Sequence, residues 1–287
     1  MEKLAIPSFK QQKQVNAYFQ AESTFWKDVY SSSDVYAQIH QLRHVTALTW
    51  IDRLSLAPGS SVLEIGCGAG FMAIALAQKG LHVQAIDSTE AMIEQAQRNA
   101  QGSGGTESLS LGMGDVSALA FDDASFDLVV ALGVIPWLET PELAIQEMAR
   151  VIKPGGHLIF TADNRSRLNA LLDPLLNPLL VPLKRHIKIA FARVGVRQLS
   201  SKDVGATPHS RRFIDQALMQ AHLAKTQSKT LGFGPFTLFR QKLLPNGSGS
   251  KLHIRLQSFA DRGVLGFRST GAHYLVQARK PISPSVV

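Results

Sequence analysis

A single cysteine, Cys67, stands among 287 residues. That excludes an internal disulfide and a zinc site built on cysteines, and no metal is expected. A lone thiol suits a reducing compartment, so a cytoplasmic setting is the expectation. Aromatic residues are few, at 7%, and charged residues reach only 18%, against 45% hydrophobic; this composition is that of a soluble globular protein. Apolar residues never run unbroken for the roughly 18 positions of a spanning helix. The opening stretch MEKLAIPSFKQQKQ has no apolar core of the kind a secretory signal needs. Acids are scarce beyond the middle of the chain. Residues 164–287 hold four Asp and Glu against twenty Lys and Arg, whereas residues 1–163 hold eighteen against ten. A basic half can attract nucleic acid, an anionic membrane surface or an acidic substrate. Here the charges are scattered rather than blocked, as on a solvated face.

What is present is an alternation of periods. Residues 9–57 carry a helical pattern that stops at Ala57-Pro58-Gly59. Short β-rich runs follow at 61–65, 82–86, 109–111, 126–131 and 157–162, separated by helical stretches at 69–79, 89–100 and 141–152, with Pro154-Gly155-Gly156 as a turn. Strands alternating with helices predict a parallel sheet covered on both faces. Residues 164–209 interrupt this order. Pro174, Pro178 and Pro182 recur every fourth position in a leucine-rich stretch, which excludes a regular helix there, and 184–194 reads as a short amphipathic helix. Alternation resumes with a helix near 211–221, a strand around 232–239, a flexible Asn246–Ser250 loop, a helix near 252–262 and a strand at 273–278. Four parts are expected: a helical cap (1–60), an α/β core (61–163), a hydrophobic and basic lid (164–209) and the rest of the core sheet (210–287).

The stretch Glu64-Ile65-Gly66-Cys67-Gly68-Ala69-Gly70 closes the first strand and opens a helix, the place of a nucleotide-binding loop. It departs from the dinucleotide fingerprint, because Phe71 takes the slot that wants a small residue. Glu64 precedes the first glycine by two. A carboxylate repels a pyrophosphate but welcomes an ammonium, so the loop suits a nucleoside carrying an amino acid. Asp87 ends the second strand, where a carboxylate accepts hydrogen bonds from ribose hydroxyls. Asp115, after the third strand, can accept from an adenine amine.

These residues resemble the class I S-adenosylmethionine (SAM)-dependent methyltransferases, of the small-molecule type. The resemblance covers roughly residues 36–163 and includes Asp115-Val116, Phe126-Asp127-Leu128-Val129-Val130 and Lys153-Pro154-Gly155-Gly156. It implies a Rossmann-like, doubly wound, seven-stranded and mostly parallel sheet with SAM as cofactor and S-adenosylhomocysteine (SAH) as product. It further implies that Glu64, Gly66, Cys67, Gly68 and Gly70 face the methionine part, with Leu132, Gly133 and Val134 on its other side. Ser88, Met92 and Val116 flank the ribose and adenine, and Tyr36 and Arg43 belong to a cap that contacts cofactor.

Methyl transfer is an in-line displacement in which the protein aligns and desolvates. A hydroxyl acceptor benefits from a base. His40, His44, Asp163, His209 and His273 are candidates, with His209 preferred because the lid should return to the ligand edge of the sheet. Trp137, Val134 and Asn164 are expected to line the acceptor site. The leucines of the lid favour a hydrophobic acceptor methylated on oxygen, with carbon or nitrogen as alternatives, and its basic flanks allow peripheral membrane contact. Ala131-Leu132-Gly133-Val134 stands where many nitrogen-modifying RNA and protein methyltransferases carry an Asn/Asp-Pro-Pro motif, which disfavours nucleic acid. An RNA or protein methyltransferase and a non-catalytic SAM-binding protein are the alternatives.

Overall fold

The computed structural model of the chain describes residues 9–21, 29, 32–104, 107–177, 180 and 205–282. The amphipathic helix expected at 184–194, and with it most of the lid, lies outside the described residues.

Two cap helices, α1 (Phe9–Ala21) and α2 (Val35–Asp52), precede the sheet. Asp34 caps α2, its carboxylate accepting from the Ala37 backbone N–H at 2.9 Å, which satisfies one of the helix's free donors. Then come β1 (Ser61–Ile65), α3 (Phe71–Ala77), β2 (His82–Asp87), α4 (Glu90–Gln101), β3 (Leu109–Met113) and β4 (Phe126–Ala131). They are followed by α5 (Pro141–Val151), β5 (Ile152–Asp163), α6 (Leu168–Leu172), α7 (Arg211–Gln220) and β6 (Ala224–Leu231). A two-stranded hairpin, β7 (Thr237–Leu238) and β8 (Gln241–Lys242), leads to α8 (Asn246–Asp261) and β9 (His273–Arg279).

Seven strands form one sheet in the order β3-β2-β1-β4-β5-β9-β6. All neighbours pair in parallel except β9, which is antiparallel to both β5 and β6. This is the doubly wound, mostly parallel sheet expected. The central strands are apolar throughout because both faces are covered. Alternate residues serve opposite faces, as strand geometry dictates. Val62, Leu128, Val130 and Ile159 pack with Ala47 of α2 and with α3. Leu63, Val129, Leu158 and Phe160 pack with α5 and α7 through Ile145, Met148, Ile214 and Leu218. Strand order reverses between β1 and β4, and an open α/β sheet binds ligands in the crevice at such a switch point.

Three local expectations fail. The strand placed around 232–239 lies earlier, at Ala224–Leu231, because its alternation of polar and apolar residues is weak and β6 has only β9 beside it. Asn246–Ser250 is not a loop but the first turn of α8. Gly249 is needed there because a Cβ would come within 2.9 Å of Val35 on α2. Pro154-Gly155-Gly156 does not separate helix from strand, since β5 already begins at Ile152, which pairs with Phe126.

Candidate functional site

Above the switch point lies a cavity of about 400 Å³, walled by α1, α2, the ends of β1, β2, β4 and β5, and the start of β9. The Gly66–Gly70 loop forms its floor. Four of the loop's five backbone donors are spent within the protein: Gly66 and Cys67 donate to the Ile86 carbonyl at 2.8 and 3.0 Å, and Gly70 donates to the Cys67 carbonyl at 2.9 Å. Gly68 donates to Asp87 Oδ2 at 3.0 Å. A phosphate-binding loop needs N–H groups aimed at its ligand, and these four are already engaged.

Carboxylates border the loop instead. Glu64 is 4% exposed. Burial pushes its carboxyl up to about 8, against the opposing hydrogen bond from the Ala73 backbone, and the Asp87 charge adds to the rise. Its Oε2 has no hydrogen-bond partner among the described residues. Asp87 is held by backbone donors on both oxygens, Gly68 and Thr89, each at 3.0 Å. Burial raises its pKa, and these hydrogen bonds work against the rise. Arg43, 6% exposed, stands over the end of β4, where a Cβ on Gly133 would lie 2.8 Å from its Nη1.

Most residues singled out in the sequence meet here. Tyr36, Arg43, Glu64, Gly66, Cys67, Gly68, Asp87, Ser88, Met92, Asp115, Val116, Leu132, Gly133, Val134 and Trp137 all line the cavity. Three do not. Gly70 caps α3 with φ 82°. Asn164 is 1% exposed, and its amide donates to the Ser269 and Gly271 carbonyls at 2.9 and 2.8 Å. His209 stacks on Phe213 at 4.9 Å and contributes its backbone, bonding through its N–H to the Asp163 carbonyl at 2.8 Å. It fastens the returning lid to β5 rather than facing the cavity. The other candidate bases, His40, His44, Asp163 and His273, do line it.

The opposite wall was not named from the sequence. Gln12, Val15, Tyr18 and Phe19 of α1 reach the cavity. Tyr18 stacks on Trp137 at 5.6 Å, and Phe19 meets Trp137 edge-on at 5.0 Å. The spacing of Val15, Tyr18 and Phe19 marks one helix face and was the signal available.

Residues 63–160 match the family model described as a methyltransferase domain. A ubiquinone biosynthesis O-methyltransferase of Paracidovorax citrulli is 36% identical over 148 residues, covering 51% of this chain and 60% of that protein. The enzyme of the same description from Hahella chejuensis is 34% identical over 142 residues, covering 49% and 57%. The chain thus spans about three-fifths of the curated relatives it matches. By fold it is similar to the magnesium protoporphyrin IX methyltransferase of Synechocystis PCC 6803, crystallised with SAH (TM-score 0.63, 18% identity, 94% of this chain and 99% of that one). It is also similar to the cyclase SpnF (TM-score 0.61, 16% identity, 98% and 100%). The methyltransferase fold therefore also carries a chain named for another reaction, and the chemistry must be argued from the site.

Proposed function

We propose that this chain transfers the methyl group of SAM to an oxygen of a small hydrophobic molecule. One observation carries the reading. The glycine loop has four of its five backbone donors engaged and two carboxylates at its margins, one with an unpartnered buried oxygen. Such a cradle fits a positively charged, phosphate-free adenosine derivative and disfavours NAD or ATP.

On this reading Glu64 receives the ammonium of the amino-acid part and Arg43 its carboxylate. Asp87 accepts from the ribose hydroxyls, while Met92 and Val116 wall the adenine and Asp115 faces its amine. SAM supplies an electrophilic methyl group on sulfur. The protein's residues hold it in line with the acceptor and exclude water, the work of Tyr18, Phe19 and Trp137. The curated relatives named as O-methyltransferases support oxygen as the atom modified.

The reading extends to a peripheral contact with an anionic membrane, from which a hydrophobic acceptor can be drawn. Leu172, Phe239 and Leu243 are each more than half exposed. Asp173 gathers their segments by accepting from Thr237 Oγ1 at 2.6 Å and the Arg240 N–H at 2.9 Å. No helix among the described residues is long and apolar enough to cross a membrane.

The test is calorimetry with SAH, NAD and ATP, joined to mass spectrometry of phenolic and lipid-like candidates for a gain of one methyl. SAH should bind and the other two should not. A chain that bound NAD or ATP while ignoring SAM and SAH would overturn the proposal.

A further inference from the structure

The far end of the cavity from Asp87 holds a polar group that cofactor binding does not use. His273 opens β9 and sits opposite Asp163, the last residue of β5, in the strand register. Its Nδ1 lies 3.1 Å from Asp163 Oδ1. Burial works to raise the Asp163 pKa, but the hydrogen bond and charge of His273, with Arg167 and Arg43, outweigh it and leave the carboxyl below its usual range. An ionised carboxylate only accepts, so Nδ1 carries the hydrogen and Nε2 is the basic nitrogen.

The groups around the imidazole are few. From α2 come His40, its ring 5.4 Å away, Tyr36, 4.4 Å from His40, and Arg43. Burial, then Arg43 and His273, hold His40 well below the ordinary histidine range, so it stays neutral. The β6 residue paired with His273 is apolar Leu231. Among the described residues, Asp163 is therefore the side chain bonded to the His273 ring.

Sheet geometry places this pair. Adjacent strands are about 4.8 Å apart, and the path β2-β1-β4-β5-β9 makes four steps, so roughly 19 Å separates the Asp87 end from the His273 end. A nucleoside anchored at Asp87 with its amino-acid part at Glu64 leaves the β5–β9 end for the acceptor. The acceptor's other wall is the aromatic cluster of Tyr18, Phe19 and Trp137, whose rings pack on one another.

We propose that His273, oriented by Asp163, is the general base of this enzyme, and that the acceptor is a phenolic hydroxyl on a flat apolar body held by Tyr18, Phe19 and Trp137. The inference rests on the SAM-dependent reading above. His273 Nε2 takes the hydroxyl proton as the oxygen forms its bond to the methyl carbon. The carbon–sulfur bond breaks with its electron pair going to sulfur, so the sulfonium becomes the neutral thioether of SAH and the positive charge passes to the imidazolium. Asp163 is a positioning residue: it fixes the tautomer and stabilises that imidazolium.

The probe is 4-nitrocatechol, whose phenolate absorbs visibly to the red of the phenol. SAH affinity is measured first for the wild type, His273→Gln and Asp163→Asn, and should agree within about twofold, since neither residue holds the cofactor and both variants must be folded to bind. Loss of SAH binding by the wild type would sink the SAM reading, not this step alone. With SAH bound, at a pH where the free probe is protonated, the wild type should show the phenolate band and His273→Gln should not. With SAM, His273→Gln should lose roughly 10²- to 10⁴-fold in rate, and its remaining rate should climb as the probe ionises by itself. Imidazole should restore part of the rate to His273→Ala, and Asp163→Asn should lower kcat more than it raises KM. A His273→Gln enzyme with the wild-type spectrum and pH profile overturns the base assignment, and a probe that fails to bind beside SAH overturns the acceptor class.

Discussion

Asp87 Oδ2 accepts the Gly68 N–H at 3.0 Å, so one carboxylate both shapes the glycine loop and lines the cavity. Its second oxygen accepts from Thr89, and each oxygen keeps a lone pair for a ribose hydroxyl. Hydrogen bonds to a charged group contribute about 1.5–3 kcal/mol each. Asp87→Ala should weaken SAH binding on the order of 100-fold or more, read by calorimetry. It should also cost about 1–3 kcal/mol of stability, because two amides lose their acceptor. Unchanged affinity in a folded variant would remove Asp87 from the site.

Gly68 and Gly70 share positive φ, 53° and 82°, yet they should fail differently. A Cβ on Gly70 would stand 2.9 Å from the Ala96 Cβ and 3.2 Å from its Cα on α4, whereas one on Gly68 meets nothing within 4 Å. Gly70→Ala therefore adds a helix–helix clash to the left-handed strain of about 1–2 kcal/mol, and overpacking costs a further 1–3 kcal/mol or so. Thermal melts should show the larger loss for Gly70→Ala. Gly68→Ala should lose mainly cofactor affinity, since its new methyl occupies open space beside the cavity. Equal melting temperatures for the two variants would contradict this account.

The sheet was legible because its signals are local: apolar runs for the buried strands, and breakers at Ala57-Pro58-Gly59 and Gly80. The glycine-loop end of the cavity was legible for the same reason, since Glu64, the glycines, Asp87 and Asp115 each end or follow a strand and inherit their place from the sheet. The other end was legible only in part: Val134, Trp137, Asp163 and His273 were singled out and line the cavity, but the α1 wall was not. Its walls come from α1, α2 and β9, and only tertiary packing sets Tyr18 against Trp137 or His273 against Asp163. His209 was preferred because a lid was expected to return to the ligand edge there; the structure bonds its backbone, not its ring, to the end of β5. His209→Ala should thus keep the rate within about twofold, the usual range for a side chain that touches neither ligand; a loss of 100-fold would restore it as a candidate base.

Closure of the site is attributable to α1. Asn16 Nδ2 donates to the Ser88 carbonyl at 3.2 Å, and Ser88 Oγ donates to Asn16 Oδ1 at 3.1 Å. This pair ties α1 to the residue after Asp87, with Val15, Tyr18 and Phe19 over the cavity. Cofactor exchange then requires the helix to move. Asn16→Ala removes both of these hydrogen bonds, worth about 0.5–1.5 kcal/mol each, together with one that Gln12 Nε2 donates to Asn16 Oδ1 at 2.8 Å within α1. SAH release, followed by stopped-flow displacement, should quicken roughly 5- to 150-fold if both bonds to Ser88 break on the way out, while the melting temperature moves by only a few degrees. An unchanged off-rate would mean that ligand leaves by another path.

Glu64 makes both stability and binding depend on pH. Its carboxyl is pushed from 4.5 up to about 8, first by burial and, less, by Asp87, against the Ala73 hydrogen bond. An acid whose folded pKa exceeds its unfolded value binds its proton more tightly in the fold. The Glu64 contribution to ligand-free stability is therefore undiminished below about 4.5, falls as the pH rises toward 8, and levels off above it. Glu64→Gln should abolish that decline, so the ligand-free variant should melt several degrees above the wild type at high pH and match it near the lower limit. Ligand reverses the sign, because an ammonium needs the carboxylate. Binding of SAH at pH 7 should expel about one proton from the wild type, measured as a dependence of the calorimetric heat on the buffer's ionisation enthalpy, and none from Glu64→Gln. Wild-type heats that ignore the buffer at pH 7 would mean that Glu64 does not meet a cation, and the phosphate-free reading of the cradle would lose its electrostatic basis.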